Sequence, residues 1–397
     1  LELFPQYKPI VNEIAQLIEK YKNSLKEDPT NVESWECLGN CYLAHGDFPD
    51  ALAAYSAATR IVQDTQNSIF SYAIGIVYAH FNYNEYALQY FQKVIDLNPR
   101  FSFGDDILFR IAILHRNIRN YDIALKTFEE IKQSPPNGLL PEDIYMQIAY
   151  TYQLQGNTEA AHQLYRELHQ RFPDALKPTQ QYCLFLFLQY KDINLDLVKS
   201  NVNEALQKFS NDPILLMIAA RIAMKDNDMA SAYHNYRFCT TYYSNSPYFW
   251  CGLGVLYYKN DQVQDAVIAF QRGLFLKNDM IEAWLNIGLI LEQLENFANA
   301  TKVYQTGKQK CLNCPEQNLF DERLNALNSQ KANHRKFGGG FSLIDIDDSK
   351  FIPPIPEQFA SDYISAVPIL PASCFKIDIE KAEKVASLST YPKSLFV

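Results

Sequence analysis

The stretch Tyr248–Phe270, YFWCGLGVLYYKNDQVQDAVIAF, decides how this chain folds. Trp250, Leu253, Gly254 and Tyr257 suit one helix, and Ala266 and Phe270 suit a second that follows closely. Gly254 and Ala266 are expected where the two helices cross, because only small side chains let two backbones approach so closely. Trp250, Leu253, Tyr257 and Phe270 are expected to fill the spaces around that crossing.

The same spacing recurs along the chain. Trp35, Leu38, Gly39, Tyr42, Ala51 and Tyr55 fit it, as do Ile74, Gly75, Tyr78, Ala87 and Phe91. Ile111, Ala112, Ala124 and Phe128 follow, then Ile148, Ala149, Tyr152, Ala161 and Tyr165. Ala219, Ala220, Ala232 and Tyr236 precede the opening stretch, and Trp284, Ile287, Gly288, Ala300 and Tyr304 come after it. Trp250 and Trp284 lie 34 residues apart, Gly39 and Gly75 36, and Gly75 and Ala112 37. A unit over residues 178–212 is degenerate, with no small residue for the crossing and an apparent insertion around Asp192–Leu197.

The pattern W-x2-L-G-x2-Y…A-x3-F at this period resembles the tetratricopeptide repeat, or TPR. The resemblance implies an all-α chain, a right-handed superhelical solenoid of about eight helix-turn-helix repeats. Residues 1–30 are expected to hold an N-terminal capping helix, 31–312 the repeats and 313–335 a C-terminal capping helix. Residues 336–397 hold a Gly338–Gly340 joint and six prolines, and are expected to be mostly non-helical except at Ile379–Leu388. The apolar runs of this tail suggest that it packs on the solenoid.

A globular reading of 397 residues would suggest two or three domains, but a solenoid grows its core linearly and removes that inference. Its 48% hydrophobic content is ample for such a core. No run approaches the ~18 apolar residues of a membrane span, and a net charge of −9 argues against direct nucleic-acid binding. The scattered cysteines read as small buried hydrophobes in a reducing, intracellular setting. The opening LELFPQYKP has neither an initiator Met nor a signal-peptide shape, so the sequence is expected to be a piece of a longer chain.

Motifs for chemistry are absent from the sequence. Cys311-x2-Cys314 lacks a second ligand pair, since only Cys374 and His334 follow, so no metal site is expected. His162 and His169 lack neighbouring carboxylates in a ligand pattern and are read as packing residues. Gly338–Gly340 lacks the Lys-Ser/Thr of a phosphate loop, and neither catalytic residues nor cofactors are expected.

A solenoid presents a concave face lined by the first helix of each pair. Counted from the Gly/Ala crossing, that face includes Arg110, Arg116, Asn117, Gln147, Tyr150, Arg221, Tyr258, Lys259, Asn286 and Gln293. Arg can grip carboxylates, Asn and Gln can bond a peptide backbone, and Tyr combines apolar contact with a polar tip. Arg110, Arg116 and Arg119 are expected to form a positive patch. Reversing the charge of the first two is expected to weaken binding without changing the melting temperature.

Beyond the repeat itself, SPYFWCGLGVLYYKNDQVQDAVIAF at Ser246–Phe270 and ESWECLGNCYLAHGDFPDALAAY at Glu33–Tyr55 are similar to general transcriptional corepressors of the Tup–Ssn type. They are equally similar to the repeat region of UTX histone demethylases, as is YALQYFQKVIDLNPRF at Tyr86–Phe101. FIPPIPEQF at Phe351–Phe359 resembles the segment after the UTX repeats. The resemblance implies a nuclear, non-catalytic scaffold whose partners are transcription factors and a WD-repeat corepressor or chromatin-modifying subunits. The alternative is the interaction region of a UTX-like histone H3 lysine demethylase. A further one is a repeat arm of a ubiquitin-ligase or glycosyltransferase assembly.

Overall fold

The computed structural model describes residues 8–62, 68–101, 103–136, 139–312, 317–333, 343–345 and 354–365. Every regular element among them is helical, and eight helix pairs carry the fold. Helix α1 spans Lys8–Glu27. The pairs are α2 (Val32–His45) with α3 (Phe48–Val62), α4 (Ser68–His80) with α5 (Asn84–Leu97), α6 (Gly104–Asn117) with α7 (Tyr121–Ile131), and α8 (Pro141–Gln155) with α9 (Thr158–Arg171). Then come α10 (Leu176–Tyr190) with α11 (Leu195–Lys208), α12 (Pro213–Lys225) with α13 (Met229–Tyr242), α14 (Pro247–Lys259) with α15 (Val263–Leu276), and α16 (Ile281–Gln293) with α17 (Phe297–Lys310). Helix α18 covers Asn318–Asn333 and α19 covers Ile355–Ser365.

The chain divides into two compact units, Leu1–Leu168 with Pro356–Val397, and His169–Ile355. The first has a continuous apolar core running from Ile14 on α1 to Ile148 on α8, joined by Ala360, Tyr363 and Ile364 of α19. In the second, α18 closes the last pair. Phe320 and Leu327 pack with Ala300 and Tyr304, and Arg323 pairs with buried Glu292 at 2.5 Å.

The repeat signature has a concrete packing cause. A Cβ on Gly254 would stand 2.8 Å from the ring of Phe270, and one on Gly75 would stand 2.7 Å from Phe91. The small residue is therefore met by the aromatic ring sixteen positions later, and the Ala266 position beside that ring is fully buried. The tryptophans add a second role to packing. Each is half-buried, and its indole N–H donates to a main-chain carbonyl six residues earlier: Trp35 to Pro29 at 2.9 Å, Trp250 to Ser244 at 2.9 Å, Trp284 to Asn278 at 2.8 Å. They tie down the turn that enters each repeat.

The degenerate unit is a regular helix pair, α10 with α11, and the apparent insertion amounts to a four-residue turn at 191–194. Allowing for that longer turn, Phe185 takes the place of the small residue and Val202, seventeen positions later, the place of the ring, and both are buried. The bulky residue of this pair therefore stands on the first helix and the smaller one on the second.

Seven of the eight turns inside the pairs share one more feature. Gly46, Asn82, Arg119, Gly156, Asn227, Asp261 and Glu295 all have φ between +58° and +90°, each seven positions after the crossing residue of its repeat. Glycine, Asn and Asp suit this left-handed position, whereas Arg119 and Glu295 adopt it against their preference.

Candidate functional site: two faces that hold the chain's own tail

The tail is helical where the proline count argues for extended chain. Pro356 sits in the first turn of α19, where its missing N–H costs nothing, and Glu357 follows in the same turn. Phe359, Ala360, Tyr363 and Ile364 then form an apolar stripe. The Gly338–Gly340 joint and Ile379–Leu388 lie outside the described residues.

In the first unit, α6 and α8 hold α19 through a polar cluster set in an aromatic frame. Gln147 donates from Nε2 to the Pro356 carbonyl at 2.9 Å, and the Tyr150 hydroxyl donates to Glu357 at 2.7 Å. Arg110 donates from Nη1 to the Ile364 carbonyl at 3.1 Å and from Nε to Asp106 at 2.8 Å. Asp106 also accepts from the hydroxyls of Tyr363 at 2.6 Å and Tyr72 at 2.7 Å. The Tyr363 ring meets Phe109 edge-on at 4.6 Å and lies 5.1 Å from the Arg110 guanidinium. Arg116 donates to Gln147 and sits over the Tyr150 ring.

Burial governs the electrostatics here. The Arg116 guanidinium is lowered to about 10 by desolvation, which the neighbouring Tyr150 and Glu357 only partly offset. Burial raises the Tyr150 phenol, and its bond to Glu357 raises it further. With Arg110 fully buried and Arg116 4% exposed, the expected patch of solvated charge is not what the fold builds. Reversing both charges would bury glutamates against Asp106 and Glu357, so it would unfold or loosen the first unit rather than spare it. Arg119 is separate from these two: it is exposed at the left-handed turn position.

The second unit holds a different part of the tail. Asn286, fully buried, clamps the main chain of Ile344: its Nδ2 donates to the carbonyl at 2.7 Å and its Oδ1 accepts the N–H at 2.8 Å. Arg221 contacts both Asp345 oxygens, at 2.8 and 2.9 Å. Ile344 packs against the apolar cluster that includes Ile281, Leu285 and Leu327. One amide reading both polar main-chain groups of a residue is sequence-independent, and the arginine adds a requirement for an acid.

Of the expected groove residues, Arg110, Arg116, Gln147 and Tyr150 converge on α19, and Arg221 and Asn286 converge on Ile344–Asp345. Tyr258 and Gln293 meet each other, hydroxyl to Oε1, at 2.5 Å. Asn117 and Lys259 are exposed at the ends of α6 and α14 and join neither cluster. Sequence reasoning missed Tyr72, Asp106 and Phe109, although Asp106 and Arg110 stand at the i,i+4 spacing of a helical ion pair. Cys311 is buried in the apolar cluster of the second unit, and Cys314 lies outside the described residues. Among the described residues no helix is long and apolar enough to cross a membrane.

Comparison with known proteins agrees with the repeat fold. Tetratricopeptide repeat profiles match residues 20–53, 38–100, 143–175 and 281–307. The general transcriptional corepressor ssn6 of Schizosaccharomyces pombe is 34% identical over 85 residues, 21% of this chain and 8% of that protein. The formate-dependent nitrite reductase complex bifunctional subunit NrfFG of Haemophilus influenzae is 37% identical over 62 residues, 16% of each. The chain thus spans less than a fifth of either relative's length. Among solved structures, yeast Tom70 superposes with a TM-score of 0.53 at 15% identity, covering 77% of this chain and 66% of that one. The chain carries tetratricopeptide repeats in an all-α solenoid, a scaffold for protein–protein interaction.

Proposed function

We propose that this chain is a non-catalytic scaffold of transcription regulation that works in the nucleus. It would hold segments of transcription factors on its repeats and bridge them to a WD-repeat corepressor or chromatin-modifying subunit. The observation that carries the scaffold reading is the pair of faces that grip polypeptide: Gln147 and Arg110 on one, Asn286 and Arg221 on the other. Three of these side chains bond main-chain atoms, which any partner segment offers. The transcriptional setting is supported by the likeness to ssn6 over 85 residues. FIPPIPEQF at Phe351–Phe359, which resembles the stretch after the UTX repeats, favours a second reading, the interaction region of a histone H3 lysine demethylase.

The test is capture from nuclear extract on the full chain, with recovered proteins identified by mass spectrometry. A WD-repeat protein together with histone deacetylases is the expected result. Recovery of histone methyltransferase subunits would favour the demethylase-type reading instead. Recovery dominated by ubiquitin-ligase subunits or glycosyltransferase partners would overturn both.

A further inference from the structure

Helix α19 lies against α6 and α8 through Pro356, Phe359, Ala360, Tyr363 and Ile364, an i, i+3, i+4, i+7, i+8 stripe, while Glu357, Gln358, Ser361 and Asp362 stay exposed. This is the mode in which a groove receives an amphipathic helix. We propose that this face of the first unit is a docking site for amphipathic helices of partner proteins, and that α19 occupies it in competition with them. The proposal rests on the scaffold reading above and names the class of segment that the first unit takes.

Three observations carry it. First, two of the contacts address carbonyls that every helix presents. The Ile364 carbonyl is one of the last-turn acceptors without an intrahelical donor, and Arg110 is a cation placed at that negative end. The Pro356 carbonyl takes Gln147 in the first turn. Second, the face is mixed: Phe109 meets Phe359 and Tyr363, while Asp106, Arg110, Arg116 and Gln147 are polar groups that water can satisfy when the helix withdraws, so only part of the contact is apolar. Third, α19 has 11 residues, too few to hold a helix alone in water, so its order comes from docking and is lost on release.

The selective contacts define the partner. A phenol must reach Asp106, a small residue must sit beneath the aromatic frame, and an acid in the first turn must meet Tyr150. The expected ligand is a helix of about three turns carrying aromatic-Ala-x-x-Tyr-aliphatic with an acidic start.

The experiment is fluorescence anisotropy with a labelled peptide, PIPEQFASDYIS, corresponding to Pro354–Ser365. It is titrated with the full chain and with the full chain carrying Phe359→Ala and Tyr363→Ala. If the resident helix fills the groove for about nine-tenths of the time, the double variant should bind the peptide about tenfold tighter than the parent. A peptide with Phe at the Tyr363 position keeps the ring and loses the bond to Asp106, and should bind the double variant about tenfold more weakly. Equal affinity for both proteins, no binding to either, or loss of helical circular dichroism in the double variant would each overturn the proposal, because α19 would then be a fixed part of the fold. The peptide titration involves no nuclear partner. It can fail while nuclear capture succeeds, so its failure is distinguishable from failure of the scaffold reading.

Discussion

Gly254 shows how much of the repeat is decided by single atoms. Its missing Cβ leaves room for the Phe270 ring, which a side chain would meet at 2.8 Å. Gly254→Val should therefore destabilise the chain by about 3 kcal/mol, the upper part of the range for overpacked cores. The loss is to be read from the urea midpoint of helical circular dichroism. Phe270→Leu introduced beside it should recover part of that loss, because the two positions share one volume and cannot act additively. The unit at 178–212 departs from the template because Phe185 stands where the small residue is expected. An unchanged midpoint in Gly254→Val would mean that the crossing has slack the packing denies it.

Helix α4 ends in a residue whose environment opposes its charge. His80 lies in the last turn, where the helix dipole favours a cation, yet its ring stacks on Phe48 at 3.7 Å and its Nδ1 is buried with no hydrogen-bond partner. Burial wins and lowers its pKa, and His115, in the last turn of α6 with Nδ1 likewise buried and unpartnered, is lowered for the same reason. The sign follows directly. Below the ordinary value of 6.5 the unfolded chain binds more protons than the folded one, so stability falls as pH falls through that value. The melting temperature should drop between pH 7.5 and 5.5. Replacing both histidines by Phe should reduce that drop by on the order of 2 °C. The comparison isolates the histidines from Asp212, whose carboxyl is raised by burial and pushes the other way. An identical drop in the variant would place the acid sensitivity elsewhere. Helix α19 is the element that proline counting concealed. Its prolines precede or open the helix, and the stripe Phe359, Ala360, Tyr363, Ile364 was present in the sequence for a reader who applied helical periodicity to the tail.

At the scale of the whole molecule, a chain of helix pairs need not open all at once. Cys37 and Cys41 report on the first compact unit, and Cys183, Cys239, Cys251 and Cys311 on the second; all six are buried and outside disulfides. Desolvation pushes the thiols of Cys41, Cys183 and Cys239 up to about 12, so the folded state offers little thiolate. Labelling by a thiol reagent in dilute urea, located by mass spectrometry, should thus proceed only through opening, with the cysteines reacting in two groups that differ in rate. One common rate would mean a single all-or-none transition. The helix pairs and, outside the unit at 178–212, their crossing residues were set by the sequence alone, because a repeat buries its signature against its own partner helix and needs only local spacing to declare itself. Tertiary structure decided the rest. It turned Arg110 and Arg116 from surface charges into buried ones and set Arg119 apart at a left-handed turn. It also brought Gln147, Tyr150 and Asn286 onto segments about 60 to 210 positions away in the chain. Contacts at that separation carry no periodicity, so burial and hydrogen-bond partners at the grooves follow only from where the tail comes to lie.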